Sequence, residues 1–261
     1  INIIIKNHFP YPILHATCYM KQITNLVTIN TSYSKSKAAR ILMHESFECL
    51  FMDFTRNQEG FIREIAHGIA PELIVDAMEP EDIDINRYRT AMPLFKCLPA
   101  LGDKALYCYK EDASLLLSRD AAVRILILTA KAKMGKIEVS EWKEVLKDDI
   151  FNEHESAGSE AEYIADRARE RNICLDATDE VLNTLSKQSF HIKNIVVDTP
   201  CKPLDILGAK LKREILGEVE ISDEEVEHLV KEHVRFVDMI IEQGYDQAYR
   251  IWAGLFAPER E

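Results

Sequence analysis

Short apolar runs that close on an aspartate punctuate the chain at three places: Cys49-Leu50-Phe51-Met52-Asp53, Leu73-Ile74-Val75-Asp76 and Asn194-Ile195-Val196-Val197-Asp198. Runs of this length bounded by a turn former read as strands buried on both faces, the pattern of a parallel sheet. Two more strands are expected over residues 26–30 and 105–109, and an opening apolar run covers 1–6. Between them lie helical stretches: one through Ala38, Ala39, Ile41 and Leu42, one carrying Phe61, Ile62, Ile65 and Ile69 and ending at Pro71, and one over 85–91 stopped before Pro93. Strand and helix in alternation predict the α/β class: a mainly parallel sheet of about five or six strands covered by helices, with a helical C-terminal portion.

After Ser114 the texture changes. Leu115 to Leu117 and Val123 to Leu128 crowd together without clean periodicity, which predicts a helix buried nearly all round, a strand over Val123 to Leu128 being the alternative. The small, polar segment 152–159 is the linker candidate, dividing an α/β domain over 1–151 from a mostly helical portion over 152–261 that adds one further strand; one continuous domain is the alternative. Ser159 with Glu162 has the form of a capping box opening a helix. The C-terminal helix is written most clearly: Ser222 and Glu225 form a second box, and Val226, Leu229, Val230, Val234, Val237, Ile240 and Ile241 keep one stripe until Gly244. Gly135, Ile137, Glu141 and Trp142 follow the order of the latter half of a calcium loop. However, Ala130, Ala132 and Met134 would occupy its early ligand positions, so a plain helix-turn-helix connection is expected.

Charge and cysteine usage narrow the function classes. A formal charge of −12 over 261 residues repels phosphate backbones and anionic lipid, so nucleic-acid and membrane binding are not expected. No apolar stretch approaches the roughly 20 residues of a membrane span. Six cysteines without a Cys-x-x-Cys pair read as reduced core thiols and hence a cytoplasmic setting. The chain opens on Ile1 rather than methionine, which leaves room for a processed upstream piece.

Ligands of open α/β sheets bind beyond the carboxyl ends of the strands, so the strand-end aspartates mark where a site should form. Asp53, Asp76 and Asp198 are the expected metal ligands and, with Thr55, Thr199 and His67, the expected catalytic set. Convergent carboxylates would hold Mg2+ or Mn2+ and orient a small phosphorylated substrate for hydrolysis or phosphoryl transfer. Each aspartate also suits an ordinary turn or helix cap, and the acidic run over 79–84 suits a solvated loop. The rival reading is a non-catalytic assembly protein, with homo-oligomers formed through the C-terminal amphipathic helices. Asp53-Phe54-Thr55 lacks the second aspartate of a haloacid-dehalogenase-type phosphatase. No nucleophile elbow, Walker loop or Gly-x-Gly-x-x-Gly is present, so no nucleotide cofactor is expected.

Overall fold

The structure, a computed structural model, describes residues 20–78 and 85–256. The opening run over 1–6 and the acidic run over 79–84 lie outside the described residues. In chain order the elements are β1 (Gln22–Val27), α1 (Ser32–His44), β2 (Cys49–Thr55), α2 (Glu59–Ala66), α3 (Pro71–Met78), α4 (Ile85–Cys97) and β3 (Ala105–Lys110). There follow α5 (Asp112–Lys133), α6 (Val139–Arg167), β4 (Arg171–Leu175), α7 (Asp179–Lys187), β5 (His191–Val196), α8 (Pro203–Ile215), α9 (Asp223–Gln243) and α10 (Tyr245–Phe256).

The five strands form one parallel sheet in the order β3-β2-β4-β1-β5. Side chains alternate across it, as a pleated strand requires. Leu50 and Met52 of β2 pack against α1, α2 and α4 through Leu42, Ile65 and Leu94. Cys49 and Phe51 face the other way, against Ala161 and Ile164 of α6 and Leu185 of α7. Connections running from β1 to β2 and from β2 to β3 travel toward one edge of the sheet, whereas those from β3 to β4 and from β4 to β5 travel back. Right-handed crossovers then demand helices on opposite faces, and the two apolar clusters have that division. A third core joins α5, the first half of α6, α8 and α9 around Trp142, Leu211 and Val230.

Several expectations need correction. Leu73 to Asp76 is helical, within α3, not a strand. Pro71 and Glu72 sit in its first turn, where a missing N–H is harmless and an acidic side chain favours the helix dipole. Pro93 lies inside α4 rather than ending it. The 152–159 segment is helical rather than a loop: α6 passes through it unbroken, burying Ser156 and Ala157, so the Ser159 capping box falls in mid-helix. The strand over 171–175 was not anticipated at all, yet it sits between β1 and β2. The 123–128 run is helical, but α5 is not buried all round: Leu116, Val123, Ile127 and Met134 form an exposed stripe. Of the stripe on α9, Val226, Leu229 and Val230 are buried, Val234, Val237 and Ile240 are half-buried, and Ile241 is exposed. Exposed apolar side chains lie along α5 and, at Ile241 and Ile251, on the C-terminal helices as well. Among the described residues no helix is long and apolar enough to cross a membrane.

Candidate functional site

The chain leaves β2 toward one face of the sheet and leaves the neighbouring β4 toward the other. Crevices open where adjacent strands part company in this way. Two adjoining cavities of about 530 and 220 Å³ lie there, and both are lined by Asp53, Arg87, Glu153 and Asp176.

Asp53 stands in a bulge. β2 and β3 pair Met52 with Cys108 and then Thr55 with Lys110, so Asp53 and Phe54 together oppose Tyr109. The extra residue bends the strand and re-aims its side chains. The Asp53 carboxylate receives Arg87 of α4 at 2.8 Å and lies 3.9 Å from Lys110 at the end of β3. Arg87 also donates to the Asp53 carbonyl. Tyr109, fully buried, reaches the Leu175 carbonyl at 3.0 Å and the Asp53 carboxylate at 3.5 Å, tying the tips of β2 and β4 together. Burial, with Asp53, Glu160 and Asp176 nearby, holds its phenol well above the usual range.

Asp176, directly after β4, has φ of 55°, a left-handed conformation that non-glycine residues seldom adopt. Its carboxylate accepts from the backbone N–H and the hydroxyl of Thr28, both at 2.6 Å, and from Lys35 of α1 at 2.7 Å. Lys35 donates to the Thr28 hydroxyl as well, at 2.6 Å, closing a triangle across β1, β4 and α1.

Lys110 points between Asp53 and Glu160, with Glu160 at 3.2 Å. Burial works against its ammonium, but the two carboxylates outweigh that and leave its pKa raised. Glu160 is itself buried, and the loss of water raises its pKa although Lys110 pulls the other way. Two and three turns earlier on α6, Glu153 and Asp149 face the cleft. Desolvation raises both, and no cation counteracts it at Asp149. Across the larger cavity, Lys202 precedes α8 beside Asp205 at 3.2 Å, and that partner outweighs burial to raise its pKa.

The expected site residues are scattered relative to this cleft. Asp53 is at its centre. Thr55 lines the smaller cavity, its hydroxyl held by Asn57 at 2.6 Å. Asp76 is exposed on α3 and does not line the cleft. Asp198 follows β5 and pairs with Lys37 at 2.7 Å, while the carbonyl of exposed Thr199 accepts from Tyr249 at 3.3 Å; neither lines the cleft. His67 lines a separate cavity with Lys104 and Tyr107, near the amino end of β3. Asp53, Asp76 and Asp198 thus do not meet. The residue that joins Asp53 is Asp176, and Asn172-Ile173-Cys174-Leu175-Asp176 carries the same signal as the three runs noted above: an apolar strand closing on an aspartate. Lys35, Arg87, Lys110 and Lys202 have no such signal; only the crossovers bring them together.

Among the described residues no three His, Cys, Asp or Glu side chains gather to hold a metal ion. The five described cysteines are free thiols. Comparison with protein-family models, curated proteins and solved structures gives no match for this chain.

Proposed function

We propose that the cleft binds a small phosphorylated substrate and carries out Mg2+- or Mn2+-dependent hydrolysis or phosphoryl transfer, in the reducing setting that free thiols suit. The observation that carries the reading is the pairing of Asp53 and Asp176 at one crevice with Lys35, Arg87 and Lys202 around them. Mg2+ does not require a cage of protein ligands. It is commonly held by one or two carboxylates, waters and the substrate's own phosphate oxygens, and Asp53 and Asp176 would be the two. Arg87 and Lys202 would take the non-bridging oxygens, neutralising charge that builds in the transition state. Glu153, whose raised pKa brings it nearer neutrality, is the group to accept a proton from the attacking water. As the new P–O bond forms and the ester P–O bond breaks, the leaving oxygen takes a proton from solvent.

Melting of the whole chain with MgCl2 or MnCl2 tests the metal, since specific binding to the folded form raises the melting temperature. Hydrolysis of p-nitrophenyl phosphate under the same conditions tests the chemistry, with Asp53→Asn and Asp176→Asn expected to lower kcat at least ~100-fold. No melting shift with either ion, together with no hydrolysis above the two variants, overturns the reading.

A further inference from the structure

The two cavities differ in chemistry, and that difference identifies a substrate class. Four residues form the waist they share: Asp53, Arg87, Glu153 and Asp176. Of the charged residues lining only the larger cavity, both are cations, Lys35 and Lys202. The smaller cavity is lined by hydroxyls from both walls, Ser114 and Ser118 of α5 facing Ser156 of α6 and Thr178 ahead of α7, with the Asn152 amide among them. Its own charged residues are Lys110 and Asp149. Lys110 is engaged by Glu160 and Asp53, whereas Asp149 has no ion-pair partner among the described residues.

A phosphate placed in the smaller cavity would face the Asp149 carboxylate while Lys110 is held by Glu160 and Asp53 and Arg87 by Asp53, and like charges at close range repel. A carbon-bound hydroxyl suits that cavity better. It both donates and accepts, so it can give its proton to Asp149 while accepting from a serine or the Asn152 amide. With the shared waist included, the larger cavity sets three cations against three carboxylates and the smaller sets two against four, so the larger one suits the anion even though Lys35 is paired with Asp176 and Lys202 with Asp205.

We infer that the substrate is a phosphorylated polyol or monosaccharide, its phosphate held by Arg87 and Lys202 on the side of the larger cavity and its hydroxyls by Asp149, Asn152 and Ser118 in the smaller one. This rests on the phosphoryl-transfer reading of the same cleft.

Calorimetric titration of the full chain in MgCl2 with ribose 5-phosphate, AMP and inorganic phosphate tests it. The expected order is ribose 5-phosphate tightest, with inorganic phosphate about tenfold weaker because it makes none of the hydroxyl contacts. The double variant Ser118→Ala/Asn152→Ala should weaken ribose 5-phosphate about tenfold and leave inorganic phosphate within twofold, whereas Lys202→Met should weaken both. Both substitutions in the double variant are on helix surfaces facing the cleft. Its melting temperature is checked against the parent, and Asp149→Asn serves as a second probe of the same cavity. If inorganic phosphate binds but ribose 5-phosphate binds no tighter, the substrate class is wrong while the anion site stands. If AMP binds more tightly than ribose 5-phosphate, the larger cavity takes a base and the assignment of the two ends is overturned. Binding of none of the three removes the phosphoryl-transfer reading itself.

Discussion

Asp176 shows what a single residue contributes at the switch point, although its signal in the sequence is weaker than that of Asp53. Both close apolar strands, but the strand before Asp176 is short and opens on Arg171 and Asn172, so its pattern is diluted by polar neighbours. Its left-handed backbone costs energy that must be recovered from the contacts it makes possible. Those contacts are Thr28 and Lys35, whose side chain is only 11% exposed. Asp176→Asn keeps a residue that tolerates this backbone but leaves the Lys35 ammonium without its counter-charge, and should destabilise the fold by roughly 2–3 kcal/mol. Lys35→Met should cost a similar amount. In the double variant the loss should fall short of the sum by at least ~1 kcal/mol, as measured by urea unfolding; strict additivity would mean the pair contributes nothing. His233 is the residue whose titration should be visible in stability. Burial, and then Lys202, lower its pKa from the ordinary 6.5 to about 4, and its ring sits 3.0 Å from the Thr129 hydroxyl and edge-on to Trp142. With the folded value below the unfolded one, the unfolded chain binds the extra proton. The neutral ring's contribution is therefore present above about pH 6.5 and is lost as pH falls toward 4, on the order of 3 kcal/mol in all. His233→Gln, which cannot titrate, should show a shallower decline in urea midpoint across that window than the parent.

At the scale of elements, the α/β class and three of the strands were written in the sequence more legibly than element boundaries. β2, β3 and β5 fall close to their predicted positions because apolar runs of this length bounded by turns have few other interpretations. Leu73 to Val75 is the exception that shows the limit: a three-residue apolar run fits a strand or one turn of helix equally, and Pro71 favours the helix. The 152–159 segment misled for a different reason. Its small, polar residues are those of a loop when read locally, yet Ser156, Ala157 and Glu160 lie along the buried side of α6, where small size allows close packing. Gly158 is on the exposed side, and a Cβ added there would meet no atom within 4 Å. Gly158→Ala should consequently stabilise the protein by about 0.5–1 kcal/mol, through helix propensity and a less flexible unfolded chain. Thermal or urea unfolding checks it. Destabilisation would show that α6 needs freedom at that point, as a hinge between its two halves would.

The whole molecule is organised by α6, whose 29 residues extend about 43 Å. Trp142, Val145 and Leu146 of its first half belong to the core shared with α5, α8 and α9, while Ala157, Ala161 and Ile164 of its second half lie on the sheet. The cleft is at the change-over, where Asp149 and Glu153 face the tips of β2 and β4. Other ties cross the same boundary: Lys212 of α8 pairs with Glu180 of α7 at 2.6 Å, and Asp246 of α10 accepts from the backbone of Ser32 at the start of α1. If the helical core opened alone, half of a continuous helix would lose its apolar partners while the other half stayed docked. That cost makes a single transition the expected outcome. The chain's two tryptophans allow a direct check, because Trp142 reports the core around α5, α8 and α9, and Trp252 reports the cluster of α9 and α10. Fluorescence therefore follows the helical portion, whereas far-ultraviolet circular dichroism follows every element. The two urea midpoints should coincide, and a ligand seated in the cleft should raise both together because it touches both cores. A fluorescence transition that precedes the dichroism signal would instead establish that the helical portion folds as a separate unit and that α6 breaks between Leu146 and Ser156.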